Sequence, residues 1–348
     1  MSDFLAYELL PRIWNMSIAA SVVIVFVLAA RLLLKKAPKV FSYALWSVVL
    51  FRLLCPFSIP TGFSLLALTD APIRQTAAHT TQVQYVQPDL VHTEFPQVDL
   101  PVPGVSQAVN QALPQGEEQL VADPLEAPVA LLTLGWMAGM ALMAVYSVLS
   151  MLRLRRRLVE AVPLRDNIYL ADHIASPFVL GVLRPKIYLP STLSAEEQKY
   201  IILHEQYHIK RLDHLVKLLA FLALCIHWFN PLVWLSFFLA QKDMEMSCDE
   251  AVLQTLGAHI RADYSASLLS LSTGRRVVGG TPLAFGEGNA KGRIQNLLTW
   301  NKPRKWVVAL AALVCVAVVA SCGTNPEAGK SQGEKHNPVS SQDGQGEE

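Results

Sequence analysis

The sequence predicts an α-helical membrane protein of about four transmembrane helices, with a cytoplasmic α+β domain that contains a membrane-associated helical hairpin. Three observations carry this reading. Of 348 residues, 52% are hydrophobic and 16% charged, where soluble domains average about a quarter charged. Long apolar runs recur, each bordered by a cluster of basic residues. Between the last two runs, short β-branched and aromatic pieces give way to helix-like patterns. The net charge of +1 provides no broadly basic surface, so no direct nucleic-acid partner is expected. Five cysteines without CxxC spacing read as small hydrophobes rather than a disulfide framework.

In chain order, residues 1–60 hold two predicted transmembrane helices, at about 13–34 and 41–60. The opening "MSDFLAYELLPR" carries Asp3 and Glu8 and lacks a basic leader, so the first run is expected to be retained as a span. Arg31, Lys35, Lys36 and Lys39 follow it. The second run, "FSYALWSVVLFRLLCPFSIP", contains Arg52, which must face protein or snorkel to the interface. Segment 61–126 has eight acidic residues, Arg74 and no lysine, and reads as a loosely structured extracellular loop. A third span at 127–152 runs straight into "RLRRRL" (153–158). The cytoplasmic domain is expected over 153–301. A short fourth span at 302–322 opens with Lys302, Arg304 and Lys305. The polar tail 323–348 is expected to be disordered and external. A span needs about 20 apolar residues and basic clusters stay in the cytoplasm, which places both termini outside.

The fourth run has a second reading. Basic residues, the apolar stretch Trp306–Val319 and then "VASC" (319–322) follow the order of a lipoprotein signal, with Cys322 as the lipidated residue. An ordinary span that ends in a cysteine is the preferred alternative, because such signals stand at N-termini.

The chemistry lies in the cytoplasmic segment. Strands are expected in "NIYLA" (167–171), "SPFVLGVL" (176–183) and "KIYLP" (186–190). A helix then opens at Ser194, three residues before Glu197, the spacing of a capping box. It carries His204-Glu205-Gln206-Tyr207-His208, an HExxH match. Four residues advance a helix about 400°, so His204 and His208 share a face and can share a metal. Glu205 is then placed to act as base toward the attacking water. Catalytic zinc takes three protein ligands. The acidic cluster in "QKDMEMSCDEAV" (241–252) offers Glu245, Asp243, Asp249 and Glu250 for the third, against the plainer reading of a solvated helix face. A Glu ligand with Asp249 one turn later, orienting a ligand imidazole, would be a sound division of labour.

Leu218–Ala240 carries no formal charge and by hydropathy alone would be a fifth span. A single crossing would separate the histidines from the acidic cluster, although all ligands of one zinc lie about 2 Å from it. Asn230-Pro231 interrupts the run, since proline removes a helix hydrogen bond. A hairpin over 215–240 that returns to the same face is therefore expected. His214 is a candidate oxyanion or substrate contact. His227, beside Trp228, reads as a core or interfacial histidine, and nothing requires His259. The edge of the Phe178–Val182 segment could hold an extended substrate by strand addition.

"SPFVLGVLRPKIYLP", "LSAEEQKYIILHEQYHIKRLDH", "HWFNPLVW" and "EMSCDEAV" together resemble the BlaR/MecR-type integral-membrane zinc metallopeptidases of bacterial β-lactam sensor-transducers. "LWSVVLFRLLCPFSIP" resembles that family's second span. The resemblance implies a gluzincin-like protease domain in a multi-pass protein of the bacterial cell membrane. Carried over by position, it implies Zn2+ held by His204, His208 and Glu245, with Glu205 as base and Asp249 behind the ligands. ExxxD following HExxH recurs in glutamate-type zinc peptidases, which favours Glu245 over its neighbours. The resemblance also implies a cytoplasmic protein substrate, a winged-helix transcriptional repressor by analogy, and self-cleavage, for which Arg275-Arg276 in "STGRRVVGG" is the candidate. Membrane lipid is the other expected partner, and a homodimer is left open. The family's sensor members continue into a penicillin-binding domain with SxxK. The 26 residues after Cys322 contain no SxxK, so direct β-lactam acylation is not expected. Two rival readings are a housekeeping HtpX- or CAAX-type protease and a non-catalytic transducer. "SPFVLGVLRP" argues against the first, and the presence of Glu205 against the second.

Overall fold

The computed structural model describes residues 8–55, 59–61, 126–172, 174, 176–273 and 290–326. The acidic loop (apart from its two boundary residues), most of the polar tail, and Arg275 and Arg276 lie outside them. Helix α1 (Leu10–Leu33) continues into a 3-10 turn at Leu34–Lys36. Helix α2 spans Lys39–Leu54 and helix α3 spans Glu126–Arg157. Leu10–Lys36 and Pro128–Arg157 are long and apolar enough to cross a membrane. Helix α2 is not: its 16 residues reach about 24 Å. It stops six residues short of the expected limit at 60, because Cys55 is extended ahead of Pro56, as a residue before proline tends to be. Arg52 is buried inside the protein.

A four-stranded sheet follows in the order β2-β3-β5-β4, with β2 Val162–Arg165, β3 Ile168–Ala171, β4 Phe178–Leu180 and β5 Lys186–Pro190. Strands β3 and β5 run parallel with Ile168 opposite Ile187, and β4 is an antiparallel edge. Strand β2 is an addition to the expected three, and β4 is shorter than the expected 176–183 segment. Ile168, Ile187 and Leu189 face Ile201 and Ile202 of helix α4 (Ala195–Lys210) in one buried cluster. The expected capping box starts α4: Ser194 Oγ accepts from Glu197 N–H, and Glu197 accepts from Ser194 N–H at 2.9 Å.

The uncharged run folds as two helices, α5 (Asp213–Ile226) and α6 (Pro231–Leu256). The break falls at the expected Asn230-Pro231. Asn230 Oδ1 accepts from Leu232 N–H at 2.9 Å, and its amide donates to Ser17 and Ser21 of α1 at 2.8 Å each. His227 is fully buried, 3.0 Å from the Leu53 carbonyl at the end of α2, the core role expected of it. The hairpin turn is thus fastened to α1 and α2. Helix α3 attaches to the same turn: Trp136 Nε1 donates to the Ile226 carbonyl and Trp228 Nε1 to the Trp136 carbonyl. Gly139 makes this possible, since a Cβ there would lie 2.2 Å from the Trp228 ring.

Beyond α6 come α7 (Arg261–Thr273), α8 (Ala290–Thr299) and α9 (Lys305–Gly323). Helix α9 includes Cys322 in its last turn, and its apolar part is shorter than a full span. Strands β1 (Ile59–Thr61) and β6 (Thr324–Pro326) pair in parallel, which sets the C-terminal ends of α2 and α9 side by side. Buried residues of α1, α2, α5, α6 and α9 form one core. Val252, Leu253, Tyr264 and Leu297 form another between α6, α7 and α8.

Candidate metal centre

Helix α4 buries Ile201, His204, Glu205 and His208 along one face, so the two histidines enter the interior one turn apart. Their Nε2 atoms are 3.1 Å from each other. Helix α6 delivers Glu245 from the opposite side: Oε2 is 3.3 Å from His204 Nε2 and Oε1 is 3.5 Å from His208 Nε2. All three donor atoms lie within 4.8 Å of one another. The four acids of the 241–252 cluster therefore have separate fates. Asp243 takes a two-pronged contact from Arg31 at 2.6 and 2.9 Å, plus Trp46 Nε1 at 2.9 Å. Glu250 accepts from Lys39 N–H and the Asn296 amide. Asp249 backs His204, and Glu245 alone faces both imidazole Nε2 atoms.

The remaining ring nitrogens are tied to carboxylates. His204 Nδ1 lies 3.1 Å from Asp249 Oδ1 and His208 Nδ1 lies 2.7 Å from Asp213 Oδ2. Both aspartates are completely buried. A carboxylate at Nδ1 holds that nitrogen protonated and leaves Nε2 with its lone pair directed inward. Two such nitrogens and one carboxylate are the donor set zinc takes in catalytic sites with three protein ligands. The residues fit a metal. A second group, His208, Asp213 and Cys248, shares His208 through this outward Nδ1 and belongs to the same framework.

Cations neutralise the buried acids. Arg293, from α8, donates to Asp249 at 2.8 Å through Nε and 2.7 Å through Nη2, and its Nη1 is 3.2 Å from Glu245. Lys217 of α5 donates to Glu245 Oε1 at 3.2 Å. Burial by itself pushes the Asp249 carboxyl up, but Arg293 and His204 outweigh it and hold it below the ordinary carboxylate range. For Glu245 burial is likewise opposed, by Lys217, His208 and Arg293, and the carboxyl is held low. Asp213 follows the same logic, with His208 and Arg211 overcoming burial. Tyr264 completes the cage: its hydroxyl donates to Asp249 at 2.7 Å and lies 3.0 Å from His204 Nδ1.

His204, Glu205, His208, Glu245 and Asp249 are thus brought together, while His214 is not among them. Its Nε2 lies 3.3 Å from the Val182 carbonyl beside the sheet edge. The cause is the backbone at Leu212, which is left-handed (φ 59°) and starts α5 in a new direction. His259 is exposed on a 3-10 turn. Asp213, Lys217, Tyr264 and Arg293 were not expected. For Asp213 the signal present was "HIKRLDH", where an acid follows the second histidine by five residues; Arg293 and Tyr264 offered none.

Fold and site together define a largely helical protein with long apolar helices and a buried two-histidine, one-glutamate candidate metal centre. The chain belongs to the BlaR1 peptidase M56 family, whose family model matches residues 11–297. It is similar to the regulatory protein BlaR1 of Bacillus licheniformis, 34% identical over 155 residues, which are 42% of this chain and 26% of that protein. It is also similar to the methicillin resistance mecR1 protein of Staphylococcus aureus, 35% identical over 106 residues, 29% of this chain and 18% of that protein. The mecR1 protein of Staphylococcus epidermidis matches to the same extent. The matched stretches cover about a quarter or less of these relatives.

Proposed function

We propose that this protein is a multi-pass zinc endopeptidase of the bacterial cell membrane that acts in signal transduction by cleaving a cytoplasmic protein. The observation that carries the proposal is the convergence of His204 Nε2, His208 Nε2 and a Glu245 oxygen within 4.8 Å, with both Nδ1 atoms engaged by buried carboxylates. Glu205 neighbours His204 on the buried face of α4, which supports its assignment as general base. When bound, the ion would supply Lewis acidity toward a water and a peptide carbonyl. Glu205 takes the proton from the attacking water and passes it to the leaving amine. Asp249 and Asp213 keep the imidazoles in the ligand tautomer. Strand β4, an edge strand of the sheet, can hold an extended substrate by main-chain pairing.

The proposed topology has four spans, two of full length (α1 and α3) and two short ones (α2 and α9) packed against them, with both termini outside and the site on the cytoplasmic face. The basic clusters and the shared side of the α2 and α9 ends support it. The proposed substrate is a transcriptional repressor, by resemblance to sensor-transducer peptidases, with self-cleavage near Arg275-Arg276 as a second substrate in cis. The full-length protein in detergent should contain one zinc per chain and cleave a candidate repressor, and Glu205→Ala should keep the zinc and lose cleavage. Equal cleavage by the alanine variant refutes the assignment.

A further inference from the structure

The corner between α1 and α2 touches the metal framework at three places. Arg31 and Trp46 grip Asp243, two residues before Glu245. The backbone N–H of Lys39 donates to Glu250 at 2.8 Å, five residues after Glu245. Tyr43 reaches furthest: its hydroxyl donates to Asp213 Oδ1 at 2.9 Å, while Oδ2 of the same carboxylate engages His208 Nδ1 at 2.7 Å. One carboxylate thus joins a residue of α2 to a metal-binding imidazole. The Arg211 guanidinium lies over the Tyr43 ring at 4.9 Å and donates to Asp213 Oδ2, which crowds the donors onto the oxygen that serves His208. Among the described residues, Tyr43 is the donor on the other oxygen. Asp213 is completely buried, so bulk water cannot take the place of that hydroxyl.

We propose that Tyr43 is a positioning residue of the metal centre, and that the placement of α2 fixes the His208 imidazole through Asp213. The inference rests on the reading of His208 as a metal ligand. Without the hydroxyl, the Asp213 carboxylate loses its hold on Oδ1 and can pivot about the Oδ2 that Arg211 and His208 keep, and the imidazole it orients shifts with it. Partners behind a ligand histidine typically contribute 10–100-fold in metal affinity, so Tyr43→Phe should weaken zinc by roughly that factor. Phenylalanine keeps the ring beneath Arg211, so the packing is retained.

The test uses the full chain in detergent, with zinc affinity from chelator competition and the visible absorption of the cobalt-substituted protein as a report on ligand geometry. Tyr43→Phe should weaken zinc and shift the cobalt bands. Ile24→Ala, which opens a cavity in the helical core away from the site, should lower thermal stability and leave the bands where they are. Wild-type affinity and bands in Tyr43→Phe overturn the proposal, as do equal band shifts in both variants. If Tyr43→Phe does not fold, 3,5-difluorotyrosine at position 43 retains the hydroxyl and alters its donor strength. A band shift on fluorination then supports the proposal, and unmoved bands overturn it. If the wild type binds neither zinc nor cobalt, the peptidase reading itself falls, and this inference with it.

Discussion

Arg293 offers the clearest energetic test of the site. Its guanidinium makes two charge-assisted hydrogen bonds to Asp249, at 2.8 and 2.7 Å, and Asp249 is completely buried. Hydrogen bonds to charged groups contribute about 1.5–3 kcal/mol each, so the pair of bonds amounts to roughly 3–6 kcal/mol. Removing one partner of a buried ion pair costs about 3–5 kcal/mol, because the other charge is left unpaired. Arg293→Met keeps most of the side-chain volume, so little of the loss comes from a cavity. The metal-free protein should therefore lose about 3–5 kcal/mol, a large part of the roughly 5–15 kcal/mol typical of a folded domain. Asp249→Asn should cost a similar amount by leaving the buried Arg293 with Glu245 as its remaining anionic partner. The double variant removes both charges and should lose clearly less than the two single losses combined, with a coupling of at least about 2 kcal/mol. Denaturant titration of chelated, detergent-solubilised protein measures all three. Strict additivity would refute the pairing.

Asp213→Asn replaces the anionic partner of His208 by a neutral one and should weaken zinc about 10–100-fold; an unchanged chelator-competition curve would contradict this. Gly139→Leu drives a side chain into the Trp228 ring, where even a Cβ would sit at 2.2 Å. Overpacking of this kind costs about 1–3 kcal/mol and should lower the thermal midpoint; an unaltered midpoint would show that α3 does not pack there. Glu245 and Asp249 are both held below their ordinary values of 4.5 and 3.8. A depressed folded pKa means that their stabilising contribution is complete above those values and is lost as pH falls through the lower folded ones. The metal-free protein should thus be insensitive to these two groups between pH 7 and about 5.5 and lose stability below about 4.5. A stability gap between wild type and Asp249→Asn that widens as pH falls below about 4.5 would contradict the sign.

The parts of the site that are local in sequence could be read directly. HExxH places two nitrogens on one face of any helix that bears it, and Asn230-Pro231 stops a helix whatever surrounds it. The requirement that Glu245 meet the histidines then dictated a hairpin, which the structure has, with a longer second arm than expected. Other contacts depend on chain path. Asp213 reaches His208 only because Leu212 adopts φ 59°, a conformation leucine seldom takes, so periodicity extrapolated from α4 sends it elsewhere. Arg293 lies 44 residues from Asp249 on a helix whose own pattern is unremarkable. Asp243 and Glu250 looked like rival ligands because nothing in the sequence shows Arg31, Trp46 and Lys39 waiting for them. Helix α2 was expected to be longer because hydropathy does not register that the residue before Pro56 leaves the helix.

Helix α6 runs unbroken from Pro231 to Leu256, and Glu245 lies fourteen positions along it, about 21 Å from the hairpin turn. A continuous helix does not compress appreciably along its axis. Any axial displacement of the turn, which Asn230 and His227 fasten to α1 and α2, therefore arrives at the Glu245 carboxylate nearly undiminished. Metal–ligand bonds are only about 2 Å long, so a travel of even half that length would separate the carboxylate from the two imidazoles. The helix joins the turn that α1 and α2 hold to the candidate metal centre as one continuous piece.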